Sequence, residues 1–229
     1  KAGHPIPNED GAIGVQKMVN IASEATKDDL VICVISGGGS SLMTSGFGLS
    51  LEEKIKFNQV LLKSGAKIQE FNTVRKHLND IKGGVLAKYC YPATVISLIF
   101  SDVVGNDLSM IASGPTVLDK TTIKDAYKII KKYKLPKIKL VETPKNPKLF
   151  KNVHNFCILD NLTALNAMKK KASQLNLKTK IISSKIEGEA SLVGKVLTKS
   201  GKKGCVILAA GETTVTVHGN GKGGRNQEL

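Results

Sequence analysis

The chain has no tryptophan, and aromatic residues make up only 4% of its 229 positions. Base-stacking platforms are built from aromatics. The formal net charge of +15 therefore does not read as a nucleic-acid footprint. Its lysines cluster at Lys131, Lys132, Lys134, Lys137 and Lys139 and again at Lys169–Lys171, as solvated helix faces do. No apolar run approaches the ~20 residues of a membrane span, and no signal-peptide pattern precedes the first strand. The expected location is the cytoplasm, with no membrane partner. Cys33, Cys90, Cys157 and Cys205 form no CxxC pair, which removes the usual zinc and redox motifs and leaves buried free thiols as the expectation. The dinucleotide fingerprint is missing, since Leu42 stands where its last Gly or Ala belongs, and no GxxxxGK[ST] loop exists.

Arginine is the scarcest charge. Only Arg75 and Arg225 interrupt a background of lysine. Both lie in Gly-bounded polar stretches, NTVRKHLNDIKGG (Asn72–Gly84) and GNGKGGRNQE (Gly219–Glu228). A planar, always-charged fork suits bidentate contact with phosphate or carboxylate, so both residues are candidates for anion binding, with a surface ion pair or a C-cap as the alternative.

What is present alternates between strand and helix patterns. LVICVIS (Leu30–Ser36) is a short β-branched apolar run, expected to be buried on both faces. Ser50 and Glu53 form a capping box ahead of a helix with apolar Ile55, Val60, Leu61 and Leu62, ending at Gly65. A second helix is expected over Phe71–Asn79, a strand over Ala93–Phe100, and an amphipathic helix over Thr122–Lys134. Three prolines, Pro136, Pro144 and Pro147, mark the best boundary, giving domains 1–140 and 141–229. Alternation then resumes through NFCIL, a helix near Leu162–Gln174, KTKIIS, a helix near Gly188–Ser200, and GCVILAA. TTVTVHG (Thr213–Gly219) reads as a further strand entering an Asn220-Gly221 turn. The fold class is α/β with mainly parallel sheets in two units. The chain opens at Lys1 in loop-like sequence and stops at Leu229 where a helix is starting, so it reads as a piece of a longer protein whose second unit is cut short. An apolar face is then expected to be left uncovered around Val206–Val217, for which a second copy in a homodimer is one partner.

The polar motifs sit at carboxyl ends of strands, where open α/β sheets place ligands. In SGGGSS, Ser36, Gly37, Gly38, Gly39, Ser40 and Ser41 offer N–H groups and hydroxyls to an anion, or simply make a tight turn. On a helix Arg75 shares a face with Asn79 and roughly with Lys82, while Lys76 falls near Asn72, Thr73 and Asp80. Lys76 and His77 read equally as site cations or as a charged helix end. In SDVVGND, Asp102 and Asp107 suit a magnesium ligand or a base toward a hydroxyl, with an Asx turn the alternative for Asp107. IASGPT (Ile111–Thr116) reads as structural. Glu212 in GETT needs a partner if buried. Gly224, Arg225 and Asn226 precede a helix in an arrangement suited to anions.

Taken in order, GHPIPNE, SGGGSS, NTVRKHLNDIKGG, SDVVGND, IASGPT, GETTVTV and GKGGRNQE resemble the type II glycerate kinases, from His4 to Leu229. The resemblance implies a Rossmann-like three-layer α/β/α domain, a C-terminal α/β domain called MOFRL, and a cleft between them. It implies transfer of the ATP γ-phosphoryl to the 2-hydroxyl of D-glycerate, with magnesium (Mg2+), giving 2-phosphoglycerate. SGGGSS, Arg75, Asp102, Glu212 and Arg225 would line the cleft. Arg75, with Lys76 and Lys82, would serve the substrate anion. Arg225, Asp102 and Glu212 would be catalytic, and Asp102 and Asp107 would serve the metal. The family's N-terminal segment with its proposed catalytic lysine lies before Lys1, and Leu159-Asp160-Asn161 replaces the family's Gly-Ser-Asn turn. Some relatives carry a hydroxypyruvate reductase label. An NAD-dependent reductase is therefore the rival activity, and a basic nucleic-acid binder the non-enzymatic alternative.

Overall fold

In the computed structural model, which describes residues 2–4, 6–44, 48–78, 81–216, 218–219 and 221–229, the chain forms two compact units. The first holds residues 1–100 and 107–158, the second 101–106 and 159–229. Pro136, Pro144 and Pro147 fall within the first.

The first unit is built on a three-stranded sheet ordered β1 (Leu30–Ser36), β2 (Thr94–Phe100), β3 (Val153–Leu159). β1 and β2 run parallel in an unbroken register from Leu30–Thr94 to Ser36–Phe100, so both deliver their carboxyl ends to one edge. Helix α1 (Glu9–Glu24) packs with α5 (Val85–Cys90), burying Val15, Ala22, Leu86 and Cys90 with Val95 of β2. A second core joins α3 (Leu51–Lys63), α4 (Ile68–His77) and α6 (Ile123–Lys132) through Phe57, Leu61, Phe71, Val74, Ala126 and Ile130.

The helix starts follow the sequence. Ser50 Oγ accepts from Glu53 N at 3.2 Å while Ser50 N donates to the Glu53 carboxylate at 2.8 Å. Thr122 and Asp125 make the same reciprocal pair for α6. Each such cap stabilises its helix by about 1 kcal/mol.

The second unit pairs β4 (Lys178–Ile186) with β5 (Cys205–Gly211) in parallel, with α7 (Asn161–Gln174) packed on both and α8 (Ala190–Lys199) between them in sequence. The Asp160 carboxylate caps α7 through Thr163 N at 2.8 Å.

Three expectations are corrected. β1 is not buried on both faces: Ile32 is 59% and Val34 68% exposed, because no helix among the described residues covers that side of an edge strand. Cys157 is exposed for a similar reason, and only Cys90 of the four free thiols is buried. The described residues of TTVTVHG form no strand beyond a single bridge, Glu189 with Thr214. Alternating β-branched residues need a partner ladder. This segment instead spends its backbone on the turn before α8, Thr214 N donating to Gly188 O and Thr214 O accepting from Ala190 N. Val217 and Asn220, which complete the expected strand and turn, lie outside the described residues. In β5 the side chains are half-buried and only Leu208 is fully covered.

Leu61 and Leu62 read alike in sequence but differ in place, 0% against 67% exposed. Leu61→Ala is expected to cost about 2–5 kcal/mol by urea unfolding, and Leu62→Ala to stay within about 0.5 kcal/mol.

Candidate functional site

The carboxyl end of β1 runs into Ser36–Gly38 and then α2 (Gly39–Leu42), a single turn of helix. Gly38 has φ +77°, and its Cα faces the His4 ring. This turn spends the Ser41 and Leu42 N–H groups on the Gly38 carbonyl. Its Ser40 carbonyl projects to the cations. Arg75 Nη2 donates to Ser40 O at 2.9 Å and Lys82 Nζ donates to the same oxygen at 2.6 Å. Residues that helical spacing sets roughly on one face thus meet at one atom.

Ser40 Oγ lies 3.0 Å from Ser113 Oγ, and Ser113 donates on to Asn72 Oδ1 at 3.1 Å. Ser113 is fully buried in IASGPT, the motif that reads as structural from sequence. It sits in an uncommon backbone run: Ala112, Ser113 and Gly114 have φ of 50°, 61° and 59°. The run is held by Gly83 and Gly84, themselves left-handed, whose N–H groups donate to Ser113 O at 2.9 Å and Gly114 O at 2.8 Å. A Cβ on Gly84 would stand 2.6 Å from Phe150 Cζ and 2.9 Å from Val117 O, so glycine is required twice over there.

Among the described residues Arg75 meets no carboxylate; its contacts there are Ser40 O and the Phe71 ring, 5.1 Å from the guanidinium carbon. Burial pushes its pKa down to about 10. A cation so placed, with most of its N–H donors unspent, is available to an anion.

Lys76, one residue on, is turned elsewhere. Its Nζ pairs with Asp119 Oδ1 at 3.3 Å, both side chains buried. Burial alone would raise the Asp119 pKa, but Lys76, the Thr121 N–H and hydroxyl, and Lys145 hold it below the ordinary value. His77 bridges Thr73 O at 2.8 Å and Glu142 Oε1 at 3.0 Å. Lys76 and His77 thus belong to a structural network and do not join Arg75 and Lys82.

Asp107, exposed, caps its own turn through Ser109 N at 2.9 Å. Asp102, in the second unit, is exposed; its neighbour Asn106 donates to Asp160 Oδ2 at 2.7 Å. Also in that unit, Arg225 Nη2 donates to Glu212 Oε1, both side chains half-exposed. Arg225 opens the short helix α9 (Arg225–Glu228) after Gly224, with Asn226 exposed beside it. Among the described residues no group of three or more His, Cys, Asp or Glu side chains could hold a metal.

Stability measurements separate the two cations of α4. Lys76→Met removes the buried cation beside Asp119, leaving it Lys145 at 3.8 Å and its hydrogen bonds, and is expected to cost about 3 kcal/mol. Arg75→Met breaks no ion pair among the described residues and is expected to change stability by less than about 1 kcal/mol. Equal losses for both would contradict this division.

The family model described as "Domain of unknown function (DUF4147)" matches residues 1–143, and the MOFRL family model matches residues 205–229. A glycerate 2-kinase of Pyrococcus horikoshii is 41% identical over 100% of this chain and 58% of its own length. A protein of Agrobacterium vitis named putative hydroxypyruvate reductase is 41% identical over 100% of this chain and 57% of its own. The crystal structure of a glycerate kinase from Thermotoga maritima matches with a TM-score of 0.87 and 37% identity, over 99% of this chain and 58% of that one. The chain therefore spans little more than half the length of the relatives it matches. With the DUF4147 match over its first 143 residues and the MOFRL match over 205–229, it belongs to the glycerate kinase family.

Proposed function

We propose that the protein, at the length of its relatives, is an ATP-dependent kinase. It would transfer the γ-phosphoryl to the 2-hydroxyl of D-glycerate, giving 2-phosphoglycerate in the cytoplasm. The observation that carries this reading is the Arg75–Lys82 pair held on Ser40 O at the carboxyl end of β1, a cationic site where no acid of the described residues pairs with Arg75. Phosphoryl transfer needs little covalent help from the protein; it needs both substrates positioned and charge stabilised. Glycerate and ATP are the small-molecule partners, and no nucleic acid takes part.

In this reading Arg75 and Lys82 hold the carboxylate of glycerate, and the Gly37–Ser40 backbone faces the anion. Ser113 and Asn72 fix Ser40, so the glycine corner keeps its shape when ligand arrives. Arg225 meets the transferring phosphoryl, and Glu212 sets the plane of its guanidinium. Magnesium, when bound, neutralises phosphate charge. It would enter on ATP, held by one or two protein carboxylates. Asp102, exposed, is the carboxylate for it; Asp107 is committed to its own turn.

The Agrobacterium relatives favour a second reading, an NAD-dependent reductase acting on hydroxypyruvate. The absent dinucleotide fingerprint speaks against it. Two assays on the full-length protein decide between the readings: glycerate-dependent ADP formation is expected, and hydroxypyruvate-dependent NADH oxidation is not. In the kinase assay Arg225→Lys is expected to lower activity at least about tenfold, because a lysine keeps the charge but loses the fork. Activity within about threefold of wild type would sink the role given to Arg225.

A further inference from the structure

Helix α3 carries an inward stripe that sequence periodicity fills with apolar residues at Phe57 and Leu61 but with polar ones at Lys54 and Asn58. Lys54 is 7% exposed, and Asn58 Oδ1 is buried without a hydrogen-bond partner among the described residues. The asparagine oxygen calls for a reason, since buried polar groups are ordinarily satisfied. Both line one small cavity of about 20 Å³ together with Thr44, Arg75 and Lys82. Three cationic side chains from α3, α4 and the turn after α4 therefore converge on a single space. Lys54 and Lys82 have further interactions of their own; Arg75 brings its unspent donors. Rotation of the Asn58 amide exchanges its orphaned oxygen for an N–H2 donor facing the same space.

The innermost space, about 20 Å³, has room for one water-sized group, the size of a carboxylate oxygen. We propose that α3 is the far wall of the substrate site: Lys54 and Asn58 close, with Arg75 and Lys82, on one carboxylate oxygen of a small hydroxy acid. This rests on the kinase reading for the identity of the acid, while the site itself is testable without turnover.

The variants are Lys54→Met, which removes the charge at similar length, and Asn58→Asp, which adds a negative charge at nearly constant shape. Melting temperature without ligand first establishes that each folds; if Lys54→Met does not, Asn58→Asp carries the test. In the full-length protein, D-glycerate is expected to raise the melting temperature of wild type, glycerol is not, and both variants are expected to lose the glycerate response. In turnover the KM for glycerate is expected to rise about tenfold or more, the worth of one charge-assisted hydrogen bond. The KM for ATP and kcat are expected to stay within about threefold. A variant that keeps the wild-type glycerate response and KM overturns the proposal, as does an effect confined to ATP, or a wild type whose melting is indifferent to glycerate. Wild type that binds glycerate but forms no ADP leaves the α3 site standing and removes the kinase reading.

Discussion

The first unit's site hangs on an interlock of two turns. Gly83 and Gly84 donate to Ser113 O and Gly114 O, and both partners in this exchange are left-handed backbone. Ala112 and Ser113 hold positive φ at a cost of roughly 1–3 kcal/mol each, which the turn's own bonds, such as Gly114 N to Ile111 O at 2.9 Å, offset only in part. The two interturn bonds and full burial of Ser113 do so collectively. Once the turns are locked, Ser113 Oγ is fixed against Ser40 and Asn72, and Lys82, next to Gly83, is delivered to Ser40 O. The KGG and IASGPT motifs, thirty residues apart, therefore make sense only as a pair.

Helix α4 uses the 100° step between neighbours to divide labour. Lys76 and His77 turn to Asp119 and Glu142 and stabilise the packing of the following loops, whereas Arg75 faces the glycine corner. Adjacent residues on a helix do not face each other. A polar run such as VRKH therefore supplies two separate networks, and the pairing of each cation with or without an acid tells them apart. The Lys76–Asp119 pair is closed: carboxylate, ammonium, two hydroxyls and an N–H satisfy one another. The Arg75 environment is open, because among the described residues its hydrogen-bond acceptor is a neutral carbonyl.

Elements marked by local chemistry were legible in the sequence. The Ser50–Glu53 box, Thr122 at the head of an amphipathic helix and the β-branched runs at Leu30 and Thr94 each need only their neighbours to be read. So did the glycine corner after β1. What depends on tertiary placement was not. Exposure of Ile32 and Val34 is a matter of what covers an edge strand, and TTVTVHG carries a strand pattern without a ladder to join. Lys54 and Asn58 look like solvent-facing residues until Phe57 and Leu61 set the inward direction of α3. Ser113 was missed because its left-handed conformation, imposed by Gly83 and Gly84 from outside the segment, has no signal in IASGPT beyond the glycine and proline themselves.

Both arginines share one arrangement. In each, one guanidinium nitrogen is held by a fixed oxygen, Ser40 O for Arg75 and Glu212 Oε1 for Arg225. Because the guanidinium is planar, one such bond fixes the orientation of the whole fork while leaving its other donors for a second anion. A lysine in either place would spend its charge on the same oxygen without fixing any direction, since an ammonium is a point charge with freely rotating donors. The lysine at Lys82 shows the contrast: it adds charge at Ser40 O but defines no plane. In a chain that otherwise meets its need for positive charge with lysine, the two arginines are the positions where one contact can fix the direction of the remaining donors.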